Sequence, residues 1–141
     1  MKILLTGAQG FTGRHFARAA AAAGHEVASL NANLLDVRAL EMEVSNLQPE
    51  AVVHLAGISF VGHAYDRAFY DVNLFGTLNL LDALCRGDQS INCVLLASSA
   101  NVYGNCDASP ISESQPPSPV NHYAMSKLAM EYMARTRLPQ L

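Results

Sequence analysis

Apolar residues fall along this chain in two alternating patterns. Residues 2–6, KILLT, form a short, nearly continuous apolar run that reads as a buried strand. The stretch RHFARAAAAAG that follows a glycine-rich turn is alanine-rich and helical, with Gly24 suited to end it. EVASL at 26–30 predicts a second strand, and DVRALEMEVSNL a short helix with Asp36 placed to cap its first turn. AVVHLAG at 51–57 predicts a third strand. Ala64, Ala68, Val72, Phe75, Leu78, Leu81 and Cys85 then recur at helical spacing, so one long helix is expected over about 63–86, closed at Gly87. INCVLLASS reads as a fourth, continuously apolar strand. Residues 103–121 hold four prolines and form a loop; from Asn121 onward, Met125, Leu128, Ala129, Tyr132 and Met133 mark a last helix.

Strands alternating with helices, each strand nearly all apolar, predict an α/β fold with a parallel sheet covered on both faces. That alternation is the Rossmann pattern, a doubly wound sheet. Right-handed crossovers place the four strands in the expected order 3-2-1-4, with a nucleotide crevice beside strand 1 where the order reverses. The 141 residues are read as a single domain, 1–141.

Composition narrows the partners. Only 15% of residues are charged, below the ~25% of ordinary soluble domains, which fits buried strands and some covered surface. The net charge is −3 and the nine lysines and arginines are scattered, which excludes a phosphate-backbone stripe and hence nucleic acid. No apolar run approaches the ~20 residues that span a bilayer, and the opening ILL is too short for a secretory leader. Three cysteines without a C-x-x-C spacing indicate neither a disulfide framework nor zinc, and fit reduced thiols in a cytoplasm. The five histidines lack ligand spacing and read as structural, so no metal is expected.

Candidate chemistry begins at residues 6–13, TGAQGFTG. Gly7, Gly10 and Gly13 stand at spacing three and three between a strand and a helix. Glycine removes the Cβ that would keep a phosphate from the backbone, and the helix opening at Phe11, Thr12 and Gly13 offers free N–H groups and a positive dipole end to a pyrophosphate. A plain tight turn uses glycine too; it is the position directly after the first strand that favours a dinucleotide. Near the other end, Tyr123 and Lys127 are four residues apart and leave one helix face. A free tyrosine, with a pKa near ~10, is a poor base at neutral pH; lowering it by about three units requires ~4 kcal/mol, which two close positive charges in a partly dry cleft can supply. Ser98 and Ser99 both end the fourth strand and qualify by type for a hydrogen bond to a reacting oxygen.

The ordered set T-G-x-x-G-F-x-G, Asp36-Val37, HLAG, Asn73-x-x-Gly76-Thr77, SSANVYG and Tyr123-x-x-x-Lys127 resembles the extended short-chain dehydrogenase/reductases, the nucleotide-sugar epimerase/dehydratase family, over essentially the whole chain. The resemblance implies NAD, with NADP possible, and a nucleotide-sugar substrate. It implies that Tyr123 is the base, Lys127 its partner and a hold on the nicotinamide ribose, and Ser99, four residues before Tyr103, the catalytic serine. Asp36 would contact the adenine amine, besides or instead of capping its helix, with Val37 beside the ring; Leu55, Ala56 and Gly57 would line the cofactor groove. Asn73 reads as a buried hydrogen-bonding residue. At the end of the second strand, where acid favours NAD and arginine NADP, stand Ser29, Leu30 and Asn31. NAD is favoured, with Arg14 and Arg38 kept as candidate phosphate ligands.

Two departures from the family pattern matter. Asn101 stands where dehydratases carry a glutamate, which favours hydride transfer at sugar C4 by an epimerase or 4-keto reductase over 4,6-dehydration. His122 stands where proline commonly precedes the tyrosine, and reads as a local hydrogen-bonding group. Family members are longer, so the chain reads as the partial, cofactor-binding part of such an enzyme, truncated after the helix following strand 4; the alternative is a catalytically inactive dinucleotide-binding or interaction module. Tyr65, Phe69, Tyr70, Met130 and Tyr132 broaden the apolar faces of the two long helices, as expected for a homodimer contact or, alternatively, for sheet cover.

Overall fold

The computed structural model describes residues 1–62, 64–87, 90–107 and 109–141. Strand β1 (Lys2–Thr6) runs into helix α1 (Phe11–Ala22), followed by β2 (Glu26–Ser29), α2 (Val37–Leu47) and β3 (Ala51–His54). A helical run then passes from α3 (Asp66–Phe69) through a π-helical stretch (Tyr70–Gly76) into α4 (Thr77–Arg86), and β4 (Cys93–Leu96), a 3-10 turn (Ala100–Tyr103) and α5 (His122–Arg135) complete the main elements. The expected long helix is therefore present from Asp66, and His63 lies outside the described residues.

All four strands are parallel, in the order β2-β1-β3-β4. This corrects the expected order 3-2-1-4. The reason lies in α2. Its buried Leu40 and Val44 pack with Leu80 and Leu84 of α4 against Leu4 and Val52, whereas α1 packs Ala20, Ala17 and Phe16 on the other face, against Ile3, Leu5, Ala51 and Val53. A right-handed crossover through a helix on the face opposite α1 must carry the chain from β2 back past β1. The central strands alternate their side chains between these two apolar layers, and each fully buried Leu or Phe stabilises by roughly 1.5–3 kcal/mol. The order reverses between β1 and β3, so their carboxyl ends form the crevice.

β4 departs from the expectation of strands covered on both faces. Val94 and Leu96 pack on the α4 side, but Cys93 is exposed and Leu95 is 49% exposed. Of the residues expected to broaden the long helices, Phe69 and Met130 are buried within the chain, while Tyr65 and Tyr132 are exposed.

Candidate active site

The carboxyl ends of β1, β3 and β4 and the first turns of α5 meet around a cleft of about 270 Å³. Thr12, Leu55, Gly57, Tyr123 and Lys127, all read from the sequence as site residues, line it, together with Ile58, Ser59, Ala97 and Ser98. Gly7 and Gly13 shape the turn above it. Gly7 has φ +70°, and a Cβ there would stand 2.7 Å from the Ala56 nitrogen; a Cβ on Gly13 would stand 2.1 Å from the Gly7 carbonyl oxygen. Only glycine lets the loop close on β3 and α1 on the loop. Gly10 donates its N–H to the Gly7 carbonyl at 3.0 Å. Gly10 is also the N-cap of α1 and gives it no side-chain cap, whereas Asp36 and Asn121 cap α2 and α5 by accepting from the N–H groups of Ala39 and Ala124. The first-turn N–H groups of α1 have no intrahelical acceptor, and this end stays available to an anion.

On α5, Tyr123 and Lys127 are both buried, at 8% and 6% exposure. The Lys127 ammonium donates to the Ala97 carbonyl at 2.9 Å, and burial pushes its pKa below the ordinary lysine value. An ammonium carries three donors, so it retains capacity for further acceptors. The Tyr123 ring packs against the buried Phe69 ring, centroids 6.1 Å apart. Gly57 permits this crowding: a Cβ there would lie 2.8 Å from Asn73 Oδ1 and 3.3 Å from Lys127 Nζ.

Asn73 is the buried hydrogen-bonding residue that its sequence setting suggests. Its Oδ1 accepts from the Ile58 N–H at 2.8 Å, and its Nδ2 donates to the Ile58 carbonyl and to Ser126 Oγ, both at 3.1 Å. Ser126 in turn donates to the Tyr123 carbonyl at 2.7 Å. Asn73 thus ties the loop after β3 to the turn of α5 that carries the tyrosine. Ser126 was not among the residues read from the sequence as functional; its full burial between Tyr123 and Lys127 is visible only in the fold.

Beneath the cleft, His54 is buried and satisfied at both ring nitrogens. Thr77 Oγ1 donates to the Asn73 carbonyl at 2.8 Å, so at 2.9 Å from His54 Nε2 it accepts, and the imidazole carries its proton on Nε2. Nδ1 then accepts from Thr6 Oγ1 at 2.7 Å, and Thr6 accepts from the Ala56 N–H at 3.0 Å. Burial, and secondarily the charge of Lys127, lower the His54 pKa to about 4, so the ring is neutral at pH 7.

Ser99 is half-buried and is not among the cleft-lining residues; its hydroxyl accepts from the Asn101 N–H at 3.2 Å and caps the 3-10 turn. Ser98 lines the cleft, with its hydroxyl bonded to Glu131. Phe11, Asp36 and Val37 are exposed and also stand outside the lining, as does the half-buried Ala56. His122 makes the local contacts expected of it: Nδ1 lies 2.8 Å from Tyr70 Oη, and Nε2 lies 3.4 Å from Asp66 Oδ2.

The sequence profile described as the NAD dependent epimerase/dehydratase family matches residues 3–138. The chain belongs to this family. Among similar epimerase/dehydratase proteins, GDP-6-deoxy-D-mannose reductase of Pseudomonas aeruginosa is 42% identical over 92% of this chain and 45% of its own. The crystal structure of Thermus thermophilus UDP-glucose 4-epimerase in complex with NAD superposes with a TM-score of 0.88 at 28% identity, covering 96% of this chain and 50% of that one. The structure of RMD from Pseudomonas aeruginosa complexed with NADPH superposes with a TM-score of 0.80 at 38% identity, covering 94% and 46%. The chain spans about half the length of the relatives it matches. As an epimerase/dehydratase family member it has the Rossmann-like parallel sheet described above, and among its described residues no helix is long and apolar enough to cross a membrane.

Proposed function

We propose that this chain is the cofactor-binding and proton-transferring part of an NAD(P)-dependent nucleotide-sugar oxidoreductase acting at sugar C4, as a C4 epimerase or a 4-keto reductase. The observation that carries this is the buried Lys127 ammonium beside Tyr123 in a cleft closed by the glycine turn. A lysine held in such a place at a cost in solvation has a use for its charge. The NAD and NADPH complexes of the two superposed proteins support a nicotinamide dinucleotide here.

The residues fit that group. The first turn of α1, opened by Phe11, Thr12 and Gly13, would hold the pyrophosphate; Leu55, Ala56 and Gly57 would line the groove; Lys127 would hold ribose hydroxyls with its remaining donors. Asp36 and Val37 would take the adenine end, Asp36 while still capping α2. The nicotinamide, when bound, supplies hydride acceptance and return. Tyr123 removes the proton from the sugar hydroxyl as an alcohol is oxidised and returns it to the oxygen on reduction, with Lys127 stabilising the phenolate. Ser99 accepts from the Asn101 N–H, which leaves its own O–H to donate to the reacting oxygen. The amide of Asn101 cannot remove a carbon-bound proton, which disfavours dehydration.

The test combines calorimetric titration with NAD and NADP and cofactor reduction with UDP-, GDP- and dTDP-sugars. Saturable cofactor binding is expected. In any preparation that turns over a nucleotide-sugar, Tyr123→Phe is expected to lower the rate by about 10²–10⁴-fold with cofactor affinity retained; full activity in that variant rejects Tyr123 as the base.

A further inference from the structure

At the end of β2 three N–H groups converge on one carboxylate. Glu43 of α2 accepts from the Asn31 backbone N–H at 2.8 Å and its side-chain amide at 3.1 Å through Oε1, and from the Ala32 N–H at 2.6 Å through Oε2. The Asn31 amide also donates to the Ser29 carbonyl at 3.3 Å, which fixes its orientation. Two successive backbone N–H groups and an amide aimed at one point form an anion-binding concavity. Its place is telling: the carboxyl end of β2 is where doubly wound folds read the 2′ position of the adenosine ribose.

We infer that Glu43 determines cofactor choice, its carboxylate filling from within the anion site that a 2′-phosphate would need, so that the chain selects NAD over NADP. This rests on the dinucleotide reading above. The acid that the end of β2 lacks in sequence is supplied from α2, twelve residues after Asn31. A 2′-phosphate arriving there meets donors already engaged and a like charge, whereas a neutral ribose hydroxyl can donate to the carboxylate's remaining lone pairs. Arg14 and Arg38 are exposed, and among the described residues no salt bridge joins Glu43 to a lysine or arginine.

The probes are 5′-AMP against 2′,5′-ADP, and NAD against NADP, titrated calorimetrically into the wild-type chain and into Glu43→Gln. Each pair differs only in the 2′-phosphate, so the ratio of affinities reports this site and is insensitive to a general loosening of the fold. The wild type is expected to favour the unphosphorylated member by at least about tenfold, and Glu43→Gln to reduce that ratio to near unity, chiefly by tighter binding of the phosphorylated member. Equal affinity of the wild type for both members, whatever the variant does, overturns the inference. So does an unchanged ratio in a folded Glu43→Gln; in both cases the dinucleotide reading stands. Absence of binding by all four probes overturns that reading and the inference with it.

Discussion

The ammonium of Lys127 donates to the carbonyl of Ala97 at 2.9 Å, joining the middle of α5 to the end of β4 across the floor of the cleft. Burial disfavours its charged form, so the folded-state pKa lies below the ordinary 10.5. In the window between the two values the unfolded chain binds more protons, and stability rises with pH. Lys127→Met is expected to lack that rise in urea melts followed from neutral pH to about pH 10.5. The variant should be at least as stable as the parent at pH 7, since it removes a desolvated charge, while its affinity for NAD falls by about tenfold or more.

His54 gives a second pH signature, at the acid end. Its folded pKa of about 4 lies below the ~6.5 of an unfolded histidine, so the unfolded chain takes up the proton first as the pH falls. Stability should decline between pH 6.5 and 4, by up to about 3 kcal/mol from this group. His54→Asn, destabilised at pH 7 by roughly 1–3 kcal/mol through its broken contacts to Thr6 and Thr77, is expected to show a flatter profile across that window. Denaturation midpoints at half-unit pH steps decide the matter.

The glycines separate steric from conformational cost. Gly24 has φ +82° but open space around its missing Cβ, so Gly24→Ala should cost about 1–2 kcal/mol. Gly13→Ala drives a Cβ to 2.1 Å from the Gly7 carbonyl, backbone that cannot yield without opening the turn. It should cost about 3 kcal/mol or more and remove cofactor binding, whereas Gly24→Ala should leave binding intact. Chemical denaturation of both variants, with NAD titration of each, checks the contrast.

Local patterning carried the elements because each strand and helix has its own periodicity, and the glycine turn and the Tyr123/Lys127 pair because their chemistry needs fixed spacings. Strand order is different, since no local period says which face Leu40 and Val44 will bury. A hint was present: AVVH is apolar on both faces, as a central strand requires, while EVAS carries Glu26 and Ser29 and suits an edge. The π-helical stretch around Asn73 was invisible in an otherwise helical spacing; it coincides with Asn73 reaching Ile58 and Thr77 reaching back to the Asn73 carbonyl, contacts that only the fold brings about. No local spacing ties Glu43 to Asn31, and only the fold brings the two together.

Calorimetric titration of the chain with NAD, with Lys127→Met titrated beside it, tests whether the buried lysine serves a bound nicotinamide dinucleotide. Saturable binding at one cofactor per chain is expected, weakened by about tenfold or more in the variant. No heat of binding at about millimolar NAD or NADP, or an affinity that Lys127→Met leaves unchanged, contradicts that role.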